Sequence, residues 1–253
     1  MTTITFETKV WEGDWQALLL AHRLERMIAR SGHDFARRVV HINNVDEPRH
    51  AIAAAERLVA RGVLTEFVVV ADHAQAALDF FGVSKDSFGR GYIYSIAELV
   101  ALYLCRTDYL LHYSGDSMPG RGGAWIDRAI ARMQADRGIK VANPTWSGRY
   151  DEARAESSSE DDAFFIGQGF SDQCYLVPTA DFRAPIYGES HPDSERYPVF
   201  ADNLFEKRVD AWMRTHGHRR ITWKHGSYRH RNIRGAPGPL RRLGGRIALA
   251  LGF

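Results

Sequence analysis

From residue 3 to residue 146, strand-like apolar pulses alternate with segments of helical spacing, and this alternation restricts the fold more than any other feature of the chain. TITFET alternates like a strand, and residues 15–31 place apolar side chains at helical spacing with Asp14 as N-cap and Gly32 as terminator. FARRVVHINNV reads as a strand, residues 49–61 as an Ala-rich helix closed by Gly62, and FVVVAD as a strand ending on Asp72. HAQAALDFFG and YIYSIAELVALYLC read as helices, DYLLHYSGD as a strand, AWIDRAIARMQADRG as a helix and IKVANPTW as a strand. Each strand-to-strand connection is helix-length, which implies parallel pairing. The spacing predicts an α/β fold with an open, mostly parallel central sheet. In such sheets ligands sit beyond the carboxyl ends of the strands. Glu7, Thr8, Asn43 to Asp46, Asp72 and Asp116 are expected there.

The pattern changes after Trp146. Residues 147–163, SGRYDEARAESSSEDDA, are acidic and Ser-rich and read as a mobile loop or lid. FFIGQGFSDQCYLVP restores strand character, and HPDSERYPVFADN is turn-rich. It opens the helix LFEKRVDAWMRTHG, where Leu204, Phe205, Val209, Trp212 and Met213 form one apolar stripe. RRITWKHGSYRH is strand-like, and PLRRLGGRIALALGF can form only a weak amphipathic helix. The chain thus divides at 1–146, 147–230 and 231–253.

Its 253 residues, 45% hydrophobic and 25% charged, suffice for a buried core without disulfides. Cys105 and Cys174 both lie in apolar segments and are expected as buried thiols in a reducing, cytoplasmic setting. The opening MTTITFETKVWEGDW has no signal-peptide pattern, and no stretch reaches the roughly 18 to 20 apolar residues of a membrane span. The net charge of +2 conceals an asymmetry: residues 1–210 carry −8, whereas residues 211–253 hold ten Lys/Arg and no acid. Such a tail suits anionic lipid, phosphate or nucleic acid, or is simply a solvated end. Nucleic-acid binding is disfavoured by the acidic body and by how few aromatics, Trp223 and Tyr228, accompany the tail's charges.

Several chemistries are disfavoured by motif, a GDS-type serine esterase staying as the lesser alternative. The residues after ITFET do not fit G-x-G-x-x-G, and no G-x-x-x-x-G-K-[ST] occurs. The Gly-rich turn at 120–123 could cradle phosphate but is unspecific. G-x-S-x-G is absent, and Gly115-Asp116-Ser117 lacks the D-x-x-H partner of GDS-type serine esterases. H-E-x-x-H and C-x-x-C are also missing. Two readings of Asp116 stay open. It can anchor a hard divalent cation on a diphosphate, whose oxygens and waters complete the octahedron, or it can merely end the strand in a turn.

The order of these segments over residues 1–230 resembles the GT-A fold of inverting nucleotide-sugar glycosyltransferases. The elements that carry the likeness are TFETKVWEGDW, VVHINNVDEP, a strand ending at the D-x-D position and NLFEKRVDAWMRTHGHRRI. Ser114-Gly115-Asp116 stands where the D-x-D acids would, with Ser114 replacing the first. The resemblance implies Asp116 as ligand of Mn2+ or Mg2+, with His230 assisting and His225 its rival. It also implies Glu206 as general base, trailed by Arg214 and Gly217. Lys207 stands where a second acid is usual, so Asp210 is the reserve.

By the same resemblance, residues 1–146 hold a UDP- or GDP-linked sugar, with contacts at Thr8, Glu12, Asn44, Asp46, Asp72 and Ser114. Residues 147–230 hold the acceptor, a glycan or lipid-linked hydroxyl, near Trp146, Asp172 and Gln173. The basic tail would hold the enzyme peripherally on an anionic membrane. A non-catalytic nucleotide- or sugar-binding relative is the other expectation, given Ser114 and Lys207.

Overall fold

A computed structural model describes residues 2–120, 124–197, 202–231 and 233. In chain order its elements begin with β1 (Ile4–Val10), α1 (Trp15–Leu20), α2 (Arg23–Ser31), β2 (Arg37–Ile42), α3 (Pro48–Ala60) and β3 (Glu66–Val69). They continue with α4 (Ala74–Phe81), α5 (Tyr92–Leu104), β4 (Tyr109–Tyr113), β5 (Ser117–Pro119), α6 (Ala124–Ala135) and β6 (Ile139–Trp146). The second part holds α7 (Tyr150–Ala155), β7 (Ser157–Glu160), β8 (Phe164–Gly167), β9 (Cys174–Pro178), α8 (Thr179–Phe182), α9 (Phe205–Thr215) and β10 (Arg219–His230).

One sheet runs in the order β3-β2-β1-β4-β9-β6-β10-β8-β7, with β5 pairing β10. The expected parallel block is present: β3, β2, β1 and β4 all run the same way. It does not continue directly into β6. Instead β9 enters antiparallel between β4 and β6, so the second part of the chain is woven into the first. Alternate residues feed two cores. Phe6, Val40 and Leu111 face one layer with α2, α3 and α6, while Val39, Leu110 and Val177 face the other with α4, α5 and α9.

Three local readings change. The helix expected over 15–31 breaks at His22, which adopts the left-handed conformation (φ 56°) and turns α2 away from α1. Asp14 stands at the N-cap position of α1, but its carboxylate accepts from the Trp11 amide (2.8 Å) rather than from the helix. The acidic Ser-rich stretch is no lid: it forms α7 and then β7, antiparallel to β8. Short, polar strands suit the outer edge of a sheet because their charges discourage further pairing. No helix among the described residues is long and apolar enough to cross a membrane. Cys105 and Cys174 are buried free thiols, as expected. The basic segment lies outside the described residues except for Arg231 and Ile233, as do residues 121–123 of the Gly-rich turn.

A buried ionic seam stitches the parallel block. The Glu7 carboxylate on β1, 1% exposed, meets Nδ1 of His41 on β2 (2.9 Å) and Nδ1 of His112 on β4. Burial raises the Glu7 carboxyl, but His112 and His41 outweigh it and hold the group well below the usual carboxylate range. Two residues on, Lys9 pairs with the buried Glu98 of α5. Removing one member of such a cluster strands the rest in a low dielectric. Glu7→Ala is expected to cost about 3–5 kcal/mol, read as a lowered urea midpoint. An unchanged midpoint would show that the histidines do not depend on it.

Candidate functional site

The strand ends of the parallel block open onto a cleft of about 710 Å3, within the range of small-molecule sites. Lys9, Glu12 and Asp14 line it from the end of β1, Asn43, Asn44 and Asp46 from the end of β2, and Ser114, Gly115 and Asp116 from the end of β4. Ile93 and Tyr94 form part of its wall at the start of α5, while Asp172, Gln173 and His230 arrive from the second part of the chain. A second cavity, of about 660 Å3, lies at the other end of β4 around Arg106, Asp108, Arg137 and Arg183.

The turn after β4 is held from below. Arg23, 5% exposed, donates from Nε to the Gly115 carbonyl (3.0 Å) and from Nη2 to that of Ser117 (3.4 Å). Gly115 lies so close to α1 that a Cβ there would meet an Asp14 oxygen at 2.8 Å. Ser114 Oγ donates to Asp116 Oδ1 (2.9 Å) and lies 2.8 Å from Ser117 Oγ. Asp116 Oδ2 then meets His230 Nε2 at 3.1 Å. Burial raises the Asp116 carboxyl, yet the His230 contact and the Ser114 hydroxyl leave it below the usual carboxylate range. The same hydrogen bond raises the His230 imidazole.

Beside this pair the wall of the cleft is laced together by the ends of β1 and β2. Asn44, in the left-handed conformation (φ 50°), donates from its side chain to the Ile93 carbonyl (3.0 Å). Its own carbonyl accepts from the Glu12 amide (3.1 Å), and Glu12 accepts from the Asp46 amide (3.0 Å). Glu206, in the first turn of α9, lies behind Asp172: the Asp172 amide donates to its Oε1 (3.3 Å). Burial raises the Glu206 carboxyl well above its ordinary value, the Asp172 charge raises it further, and the Asp172 amide, Arg196 and Ser171 oppose. Asp172 thus touches both the cleft and Glu206.

Of the residues singled out in the sequence, Glu12, Asn44, Asp46, Ser114, Asp116, Asp172, Gln173 and His230 converge on the cleft. Others do not. Thr8 lies within β1 and is fully buried, its hydroxyl donating to the Tyr113 carbonyl (2.7 Å), because the strand runs on to Val10. Asp72 ends an exposed turn beyond the edge strand β3, two strands from β1. Asp210 is fully buried and spent on Ser194 Oγ (2.6 Å), Arg214 Nε (2.8 Å) and Arg196 (3.5 Å), so it cannot serve as a reserve base. Arg214, expected to trail Glu206 at the site, is instead Asp210's partner. His225 rests on the Asp162 carbonyl (2.9 Å), away from the cleft. Trp146 stands outside the cleft's lining, under the Arg220 guanidinium (5.4 Å). Lys9, Asp14 and Arg23 escaped the sequence reading. The first lies within a strand, the second resembles an ordinary cap, and the third is in a helix whose break no motif announces.

No protein-family model matches the sequence, and no curated protein matches it. Solved structures do. GalNAc-T7, crystallised with UDP, GalNAc and Mn2+, superposes with a TM-score of 0.58 over 99% of this chain at 10% identity. The chain has the GT-A fold. It spans 48% of that protein's length. Weaker likenesses are to glucosyl-3-phosphoglycerate synthase from Mycobacterium tuberculosis (TM-score 0.49, 15% identity, 99% of this chain and 79% of that one) and to S. aureus TarS (0.48, 12%, 91% and 37%). At these identities the likeness is one of backbone path.

Asp14 supplies a test of the site's electrostatics. Burial lifts its carboxyl from 3.8 to about 7; Asp116 adds to this, while the Trp11 amide, Lys9 and Arg23 oppose. Between about pH 4 and 7 the folded chain therefore holds a proton that the unfolded chain has released, and stability falls as the pH rises through that window. In chelator, Asp14→Asn is expected to add on the order of 3 kcal/mol at pH 8 and almost nothing at pH 4. Urea titrations at the two pH values check this; equal gains would refute it.

Proposed function

We propose that the GT-A chain is a glycosyltransferase that moves a sugar from a nucleotide-diphosphate donor, UDP- or GDP-linked, to an acceptor hydroxyl with inversion. The observation that carries this reading is that Asp172 joins the cleft holding Asp116 and His230 to the carboxyl of Glu206. Donor and base then share one side of the sheet. The likeness to GalNAc-T7, a protein crystallised with UDP and Mn2+, supports it at the level of fold.

The cleft's charge bears on the metal. Its lining carries Glu12, Asp14, Asp46, Asp116 and Asp172 against Lys9 and His230. A bare diphosphate would be repelled from such a wall. Among the described residues no group of three His, Cys, Asp or Glu could hold a metal ion alone. Asp116 and His230 fit the remaining case, Mn2+ or Mg2+ shared between two protein donors and the diphosphate and water oxygens. Ser114 is not such a donor, since its hydroxyl is committed to Asp116 and Ser117. The bound cation would offset charge on the departing diphosphate. Glu12, Asn44 and Asp46 would hold the nucleoside. Asp172 and Gln173 would orient the acceptor, with Trp146 on its far side. Glu206 would take the proton from the acceptor hydroxyl, and its raised pKa brings it toward the pH at which a base works best. We extend the reading to a cytoplasmic enzyme whose basic segment meets an anionic membrane carrying a lipid-linked acceptor.

Lys207 in place of a second acid favours one other reading, a binding protein without turnover. Thermal shift separates the two from an unrelated function. UDP or GDP with Mn2+ should raise the melting temperature by mass action, and Asp116→Asn should abolish the metal-dependent part. No shift at millimolar nucleotide would remove both readings. With a donor and acceptor in hand, Glu206→Gln is expected to lower kcat by about 10² to 10⁴ while leaving UDP binding intact. Because Glu206 must be ionised to act, wild-type turnover should climb as the pH rises through its raised pKa and then level off. The variant should lack this limb. Binding without turnover in the wild type would leave the binding protein.

A further inference from the structure

Arg220 on β10 is out of place on electrostatic grounds. It is 6% exposed, and its Nε has no hydrogen-bond partner. Its one ion pair among the described residues is long, 3.4 Å from Nη2 to a Glu156 carboxylate that is itself about half exposed. A buried guanidinium normally has close carboxylate or carbonyl partners for its five N–H groups, because the cost of leaving them dry is large. Arg208, buried to a similar extent, shows the usual arrangement, with carbonyls of Asn203, Tyr187 and Ser87 all accepting from it. Both lie over an aromatic ring, Arg208 on Phe88 at 3.9 Å and Arg220 on Trp146 at 5.4 Å, but Arg220 lacks the carbonyl partners among the described residues.

A second guanidinium comes to the same spot. Gly169 has a φ of +103°, and a Cβ placed on it would lie 2.8 Å from Arg196 Nη2 and 3.3 Å from Arg220 Nη1. Both cations therefore crowd one glycine. Arg196 is about half exposed and holds Asp210 only at 3.5 Å, an acid that Arg214 already claims at 2.8 Å. The two guanidiniums meet at one point while Arg220 Nε has no partner, and a compact oxyanion beside them would complete the arrangement through charge-assisted bonds. The place is next to the proposed chemistry. The Arg196 charge acts on the Glu206 carboxyl, and Arg220, Asp172 and Glu206 all act on the Tyr228 hydroxyl.

From this we infer that Arg220 and Arg196 form an anion-holding subsite for the acceptor, which carries a phosphate or carboxylate group as well as the hydroxyl presented to Glu206. The inference rests on the glycosyltransferase reading for the word acceptor, but the anion subsite can be tested without turnover. Trp146 would lie beneath the bound group, and Gly169 would be required because any side chain there would collide with the two guanidiniums.

The test is inorganic phosphate binding to the intact protein, followed by thermal shift with the donor cleft filled by saturating UDP and Mg2+. Wild type should show a saturable shift. Arg220→Met should weaken phosphate about tenfold or more, Arg196→Met by a smaller factor, and Arg220→Lys should recover part of the loss. UDP affinity should stay within about twofold throughout. Without phosphate, Arg220→Met should melt no lower than wild type, since a buried cation with an unpartnered Nε and one long ion pair is replaced by an apolar chain of similar length. A structural arginine would show the opposite. A wild type with no phosphate shift, or an Arg220→Met protein that keeps it, overturns the subsite. Should Arg220→Met fail to fold, Arg196→Met decides: undiminished phosphate binding there also overturns it. Failure of UDP to bind at all would strike the donor reading instead, and the phosphate titration would then be read without nucleotide.

Discussion

The site depends on a carboxylate in the middle of the sheet. Glu7 bridges His41 and His112, so that β2, β1 and β4 are tied laterally by side chains as well as by their backbone ladders. His112 in turn stacks on Tyr175 of β9 (ring centroids 4.7 Å apart), which carries the tie into the strand that leads out of Asp172. Lys9 extends the seam to α5 through Glu98. Apart from Lys9, about a fifth exposed, these groups have almost no exposure, and such groups tolerate few alternative arrangements. Their effect is to place the ends of β1, β2, β4 and β9 in a set relation, and the cleft is built from those ends.

The antiparallel insertion of β9 matters as much as the parallel block. Had β6 followed β4, the carboxyl ends of the strands would have presented the first part of the chain alone. Because β9 runs the other way, the turn that precedes it sits at the same end of the sheet as Asp116, and it carries Asp172 and Gln173. Asp172 is the hinge of the arrangement: its side chain adds to the acidic wall and its amide steadies Glu206. β10 then brings His230 to Asp116 from one end, while Arg220, near its other end, lies over Trp146 and against Gly169. One long strand so connects the two proposed subsites.

Much of the fold was legible in the sequence. Periodicity located β1 to β4, α3 to α6 and α9, and strand–helix alternation implied the parallel block. Asp116 could be placed at a strand end because an apolar pulse stops just before it. The misreadings have physical causes. Thr8 looked like a strand-end residue because the charged Lys9 interrupts the apolar pattern, yet Lys9 is held within the strand by a buried partner, Glu98, that lies 89 residues away. Asp210 looked like a reserve for Glu206, being one helical turn further along the same helix. Which of the two remained free depended on Ser194, Arg196 and Arg214 closing over Asp210. The Ser-rich stretch looked like a lid because polarity alone does not distinguish a loop from an edge strand.

What the sequence determined by itself was local: where hydrophobic spacing changes from two residues to nearly four, where turns stop strands, and which acids lie at those stops. What only the tertiary structure decided was pairing. It set which strand lies beside which, which carboxylate meets a guanidinium and which stays unpaired, and which arginine is buried without its complement. Periodicity records a residue's own exposure, whereas ionisation and availability depend on charges far away in the chain that share its low-dielectric surroundings.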